Sequence, residues 1–149
     1  MMKSEKLTAG QFNHLINHES GLLGVSQTSS DMQDLLKKEN SDIRAKEAVS
    51  LFCYQTRKWI GAFAAVLNGM DTLVFSGGIG ENAPVIRSRI CKGFDYLNME
   101  IDEEENKKNA LIISTANSKV KVYVIPTDEE IMIAKNSREL YVKSQTKSQ

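Results

Sequence analysis

This chain has few of the residues that build covalent or metal scaffolds. Its 149 residues hold two cysteines, Cys53 and Cys91, far apart and without C-x-x-C spacing. That argues against a disulfide framework or a thiolate metal site and leaves two reduced, buried thiols. Charge of one sign is also missing: 19 basic and 19 acidic residues cancel. No overall field therefore draws the chain to nucleic acid or to an anionic membrane. No apolar run approaches the roughly 18 residues needed to span a bilayer. The start, MMKSEKLTAGQF, has no apolar segment of the secretory kind. Two nucleotide motifs are absent as well. No Gly-Lys-Ser/Thr follows the glycines at 77–80, and Gly77, Gly78 and Gly80 are bunched too closely for G-x-G-x-x-G. With 41% hydrophobic and 26% charged residues, the composition reads as soluble, cytoplasmic and mixed α/β, one domain or a piece of a larger one.

The chain is organised around residues 71–90, DTLVFSGGIGENAPVIRSRI. Leu73, Val74 and Phe75 read as a short buried strand. Gly77, Gly78 and Gly80 read as a turn able to take positive φ and to admit a ligand closely. Asn82 is a candidate N-cap for a following helix, with Pro84 in its first turn. A strand, a glycine turn and a helix start aim N–H groups and a positive dipole end at one point, which suits an anion or a nucleotide. Glu81 would repel a phosphate placed beside it, so an adenosine or ribose contact is expected at least as much as a phosphate cradle.

In the first third, residues 4–18 have helical spacing with Thr8 as a possible cap, and His14 and His18 stand i,i+4 without a third ligand, as solvated helix histidines. In residues 20–36, Ser29 or Ser30 can cap a helix beginning near Asp31, with Asp31 and Asp34 in its first turn. Residues 41–68 form the longest periodic segment, one amphipathic helix ending near Asn68 and Gly69, its aromatic stripe read as core or subunit contact. Further on, residues 93–102 read as a short strand with flanking loop and residues 103–109 as a solvated charged loop. Residues 110–115 and 121–126 read as two more strands. Thr127 with Glu130 forms a capping box for a last helix, and residues 142–149 read as a disordered tail. The order is α/β with a small sheet, as in part of a domain.

Three segments in this order, SGLLGVSQTSSDMQD, FSGGIGENAPVIR and IPTDEEIMIA, resemble the C-terminal part of acetate kinases. KEAVSLFCYQTRKWIGAF resembles the helix between the first two. Propionate and butyrate kinases share parts of these motifs; the serine-rich first segment favours acetate. The resemblance implies an incomplete C-terminal nucleotide-binding domain over residues 1–149, of the actin/Hsp70/sugar-kinase-like (ribonuclease H-like) ATPase fold. It implies Mg-ATP in a cleft between two domains and reversible phosphoryl transfer to acetate, giving acetyl phosphate, by positioning and charge neutralisation. Residue by residue, Gly78, Ile79, Gly80, Glu81 and Asn82 match the nucleotide-binding turn. Asp31 matches a nucleoside contact, and Glu129 a glutamate that assists magnesium, Mg2+.

The resemblance also marks departures. Gln27 stands for a glycine and Gln33 for an arginine that packs near adenosine; glutamine loses the charge and the stacking plane. The phosphate loop, the catalytic arginine and the residues around acetate match nothing here, so no catalytic residue is assigned to this chain. The expected partners are acetate through the missing part, a second copy in a homodimer, or the complementary half of the kinase. Two functions follow as expectations: part of a phosphotransferase, or an inactive module that keeps the adenosine side and dimer-forming helices. Alone, the chain would expose an apolar helix face that drives association.

Overall fold

A computed structural model describes residues 7–128 together with 131, 133, 134, 137 and 138. Thr8 caps α1 (Ala9–His14) through a reciprocal pair with Gln11, as its spacing predicts. One π-helical turn, Leu15–Glu19, continues it. α2 (Gly21–Ser26) and α3 (Met32–Lys38) follow, and the long α4 (Ile43–Val66) then packs against both. α4 starts at Asp42, whose carboxylate accepts from the Arg44 and Ala45 amides, and it stops where Asn68 and Gly69 take positive φ.

The sheet has two parallel strands, β1 (Thr72–Phe75) and β2 (Lys121–Val124), paired from Thr72↔Lys121 to Phe75↔Val124. Between them run α5 (Gly77–Asn82), α6 (Pro84–Cys91), a 3₁₀ turn at Asp95–Leu97 and α7 (Glu103–Lys107). The core lies where α3, α4 and α6 meet the strands: Leu35, Val49, Ile86, Ile90, Ile113, Val122 and Val124 are all buried there. Cys53 and Cys91 are buried and unpaired, and burial pushes the Cys91 thiol up to about 12. Arg89 and Glu39 form a two-pronged ion pair, both N–O distances 2.7 Å, that ties α6 to the end of α3. Among the described residues no helix is long and apolar enough to cross a membrane.

Several expectations need correction. Residues 93–102 form no strand; the 3₁₀ turn replaces it, and Ile101 meets Ser114 only in an isolated bridge. Residues 110–115 make isolated bridges rather than a third strand. The charged run at 103–109 is partly the helix α7, because Asp102 accepts from the Glu104 and Glu105 amides and caps it. The helix after residue 31 is capped by Asp31 itself, not by Ser29 or Ser30. Thr127 gives its amide and hydroxyl to Glu81, and the Asp128 carboxylate accepts from the Ile131 amide; the capping box expected of Thr127 with Glu130 lies outside the described residues. Glu129, Glu130 and residues 142–149 lie outside the described residues.

The long helix divides along its length. Its first half supplies Ala45, Ala48, Val49 and Cys53 to the core, whereas Trp59 and Phe63 near its end are 59% and 61% exposed. Of the aromatic stripe, Phe52 packs against the core, whereas Trp59 and Phe63 do not belong to it.

Candidate functional site

Two helix starts face each other across a cleft of about 540 Å³. Ser30, Asp31, Met32 and Gln33 form one wall at the start of α3, and Gly78, Ile79, Asn82 and Ala83 form the other along α5. Asp31, Gln33, Gly78, Ile79 and Asn82, singled out in the sequence, are thus brought together from segments some 45 residues apart. Gly80 and Glu81, singled out with them, do not line it.

The α5 wall is not a glycine turn but a six-residue helix, and Asn82 closes that helix instead of capping the next. The break falls at Ala83 (φ −119°, ψ 76°), after which Pro84 opens α6. The three glycines have three different reasons. Gly77 takes φ +72°, a conformation that side chains strain to adopt. Gly80 lies against the strand, where an added Cβ would come within 3.3 Å of the Phe75 carbonyl carbon. Gly78 has neither constraint: its φ is not left-handed, and among the described residues an added Cβ would meet nothing within 4 Å beyond its own helix backbone and chain neighbours. The protein's own packing does not require a glycine there, and the room it leaves opens on the cleft.

Glu81 occupies the position where an anion would sit. Its Oε1 accepts from the Gly77 amide (2.7 Å) and from the Thr127 amide and hydroxyl (both 2.8 Å). The Thr127 amide first, then its hydroxyl and the Gly77 amide, hold this carboxyl below its ordinary range. The start of α5 already carries its own carboxylate, so the dipole argument for a phosphate at Gly77 fails, and the side chain instead ties α5 to the segment after β2.

The α3 wall is built from neighbours in sequence. Ser26, fully buried, donates to the Ser29 carbonyl (2.8 Å) and accepts from the Thr28 and Ser29 amides (3.2 Å each). Ser29 Oγ accepts from the Asp31 amide (3.0 Å), and Asp31 Oδ1 from the Gln33 amide (2.7 Å). Gln27 ends α2 at φ +56° and accepts from Arg44. Where the resembled motif carries glycine, this backbone shows why: the site is a left-handed helix stop.

Behind α5 stands Arg87, buried completely and not singled out in the sequence. Its Nη1 donates to the carbonyls of Gly80 (2.7 Å) and Glu81 (2.9 Å), the free carbonyls at the end of α5. Nε reaches Asn106 Oδ1 (2.7 Å), and Nη2 reaches the Asn106 carbonyl (2.7 Å) and Asn109 Oδ1 (2.6 Å). Asn106, equally buried, donates on to the Pro84 carbonyl and to Ser88. All five bonds go to neutral acceptors, and burial lowers the Arg87 pKa. The one sequence signal for this was position: Arg87 lies between the apolar Ile86 and Ile90 of α6.

Among the described residues no three His, Cys, Asp or Glu side chains gather as a metal site, and Glu129 lies outside those residues. His14 and His18 stack at 4.8 Å, both on the surface. Another hollow of about 530 Å³, under α6 between Ser88, Cys91 and Glu103, includes none of the residues singled out from the motifs.

The backbone matches part of known small-acid kinases. It matches part of the crystal structure of Porphyromonas gingivalis acetate kinase with TM-score 0.82 and 38% identity, covering 94% of this chain and 36% of that one. A propionate kinase from Francisella tularensis matches with TM-score 0.79 and 33% identity, covering 89% of this chain and 34% of that one. The acetate kinase of Carboxydothermus hydrogenoformans is 48% identical over 146 residues, 95% of this chain and 36% of that protein. The model of the acetokinase family matches residues 1–135, and the chain belongs to that family. It spans just over a third of the length of the relatives it matches.

Proposed function

We propose that this chain is the adenosine-binding portion, from the C-terminal domain, of a kinase that transfers a phosphoryl group reversibly between ATP and acetate to give acetyl phosphate. The observation that carries this reading is the cleft. It assembles Asp31, Gln33, Gly78, Ile79 and Asn82 and is left open at Gly78, where packing asks for no glycine. Asp31 and Gln33 supply polar groups on one side, and the apolar Ile79 with the Gly78 backbone offers a surface for a flat base. Glu81 at the start of α5 directs phosphates away from that point. Gly80 and Glu81 support the wall rather than touch the nucleotide. Magnesium is assigned to Glu129 on the resemblance alone; a carboxylate is the ligand a hard cation prefers. The contacts to the acid substrate are assigned to the N-terminal part of such a kinase, and propionate or butyrate are alternative acids.

The test is complementation. The chain is mixed with a separately produced N-terminal part of the Carboxydothermus acetate kinase, and acetyl phosphate formed from ATP and acetate is trapped as the hydroxamate. Activity present in the mixture and absent from either part alone is expected. A mixture that assembles but stays inactive would overturn the phosphotransferase assignment.

A second reading has its own observation. Trp59, Phe63, Val66 and Leu67 form an exposed apolar strip at the end of α4, which suits an assembly module that binds a second copy without catalysing. Sedimentation showing a monomer across the micromolar range would exclude it.

A further inference from the structure

We propose that Arg87 is the positioning residue of the cleft: it holds α5 in the register that turns Gly78, Ile79 and Asn82 toward the ligand. The inference rests on the adenosine reading of that cleft and adds to it a residue that touches no ligand. α5 has only six residues, too short to stand by itself. Its start is held by Glu81, and its end breaks at Ala83, whose amide closes on the Ile79 carbonyl. The carbonyls of Gly80 and Glu81, left without helical partners at that break, both accept from Arg87 Nη1. The other two nitrogens of the guanidinium are anchored on Asn106, inside α7, and on Asn109 just after it, neither of which belongs to a wall.

The arrangement suits arginine and nothing else. Five N–H donors in a rigid plane meet five acceptors from three directions, and a lysine ammonium has only three donors at a single point. Asn109 stands at φ +52°, so its replacement by glycine keeps the backbone and removes only the Oδ1 acceptor. The chain thus carries a mild handle on the brace as well as a severe one.

The experiment titrates N-methylanthraniloyl-ATP into the unmodified chain, Asn109→Gly, Arg87→Lys, and Ile113→Val as a control in the core that removes no bond of the brace. Amide exchange at Ala83, whose N–H closes α5 on the Ile79 carbonyl, is followed alongside. Asn109→Gly is expected to weaken the nucleotide three- to tenfold and to speed Ala83 exchange at least tenfold, with exchange of Val49 in α4 unchanged. Arg87→Lys is expected to weaken it further, and Ile113→Val to leave affinity alone. For Arg87→Ala, added guanidinium at millimolar concentration should restore part of the binding, which a general loss of stability would not allow. Unchanged affinity in Asn109→Gly, or equal weakening by Ile113→Val, would overturn the positioning role while leaving the cleft reading intact. No saturable signal from the unmodified chain would overturn the cleft reading and the positioning role with it.

Discussion

The two walls of the cleft are held in opposite ways. The α3 wall is made by its own sequence neighbours, with Ser26, Ser29 and Asp31 bonding to amides two or three residues away. The α5 wall is made from afar: Arg87 joins it to Asn106 and Asn109, and Glu81 joins it to Thr127, 46 residues on. Loss of one local bond on the α3 wall leaves its companions in place. The α5 wall concentrates its support in two side chains, so single substitutions there reach further.

The largest expected effect follows from that concentration. Arg87→Met leaves five acceptors without their donor, two of them on the fully buried Asn106, and the loss should reach about 3–5 kcal/mol, read by denaturant unfolding. A loss under about 1 kcal/mol would show that water replaces the guanidinium and that the α5 wall is no more dependent than the other.

The second effect is on pH. The Glu81 carboxyl is held below its ordinary range when folded, so its contribution is present above the unfolded value of roughly 4.3 and is lost as pH falls through the folded one. Stability should therefore drop below about pH 4.3, and Glu81→Gln should flatten part of that drop. Identical pH profiles for the two proteins would place the acid sensitivity elsewhere.

On the α3 wall the effects are smaller. Gln27→Gly relieves a side chain at φ +56° and is expected to stabilise by about 0.5–1 kcal/mol, seen as a raised unfolding midpoint. Smallest is Gln33→Arg, which restores a planar cation at the cleft and should tighten adenine nucleotides a few-fold with stability unchanged, by titration.

The contrast also explains what the sequence could tell. The Thr8 cap, the stop at Asn68–Gly69, the strand at 72–75 and the start of a helix near Asp31 are local events, and each was legible from residues within one turn. The five residues that meet in the cleft are a different case: they were picked out through the resemblance, and no local event brings the two segments together. The α5–α6 break was misplaced because Asn82 is a good cap by type, yet the backbone turns at Ala83, where Pro84 requires it. The strands expected at 93–102 and 110–115 failed for another reason: apolar residues there serve the core from a turn and from isolated bridges, which period alone does not separate from a strand. Asn106, in a charged run, looked solvated because its partner Arg87 lies 19 residues away. The role of Arg87 was invisible for the same reason.

The central claim is that adenosine sits between Asp31–Gln33 and Gly78–Asn82. Amide chemical shifts followed during an adenosine titration test it most directly, in the unmodified chain and in Gly78→Val. The account predicts saturable shifts at residues 31–33 and 78–82, abolished in Gly78→Val while that variant unfolds at or near the midpoint of the unmodified chain. Shifts centred instead on Ser88, Cys91 and Glu103, or equal binding by Gly78→Val, would contradict it.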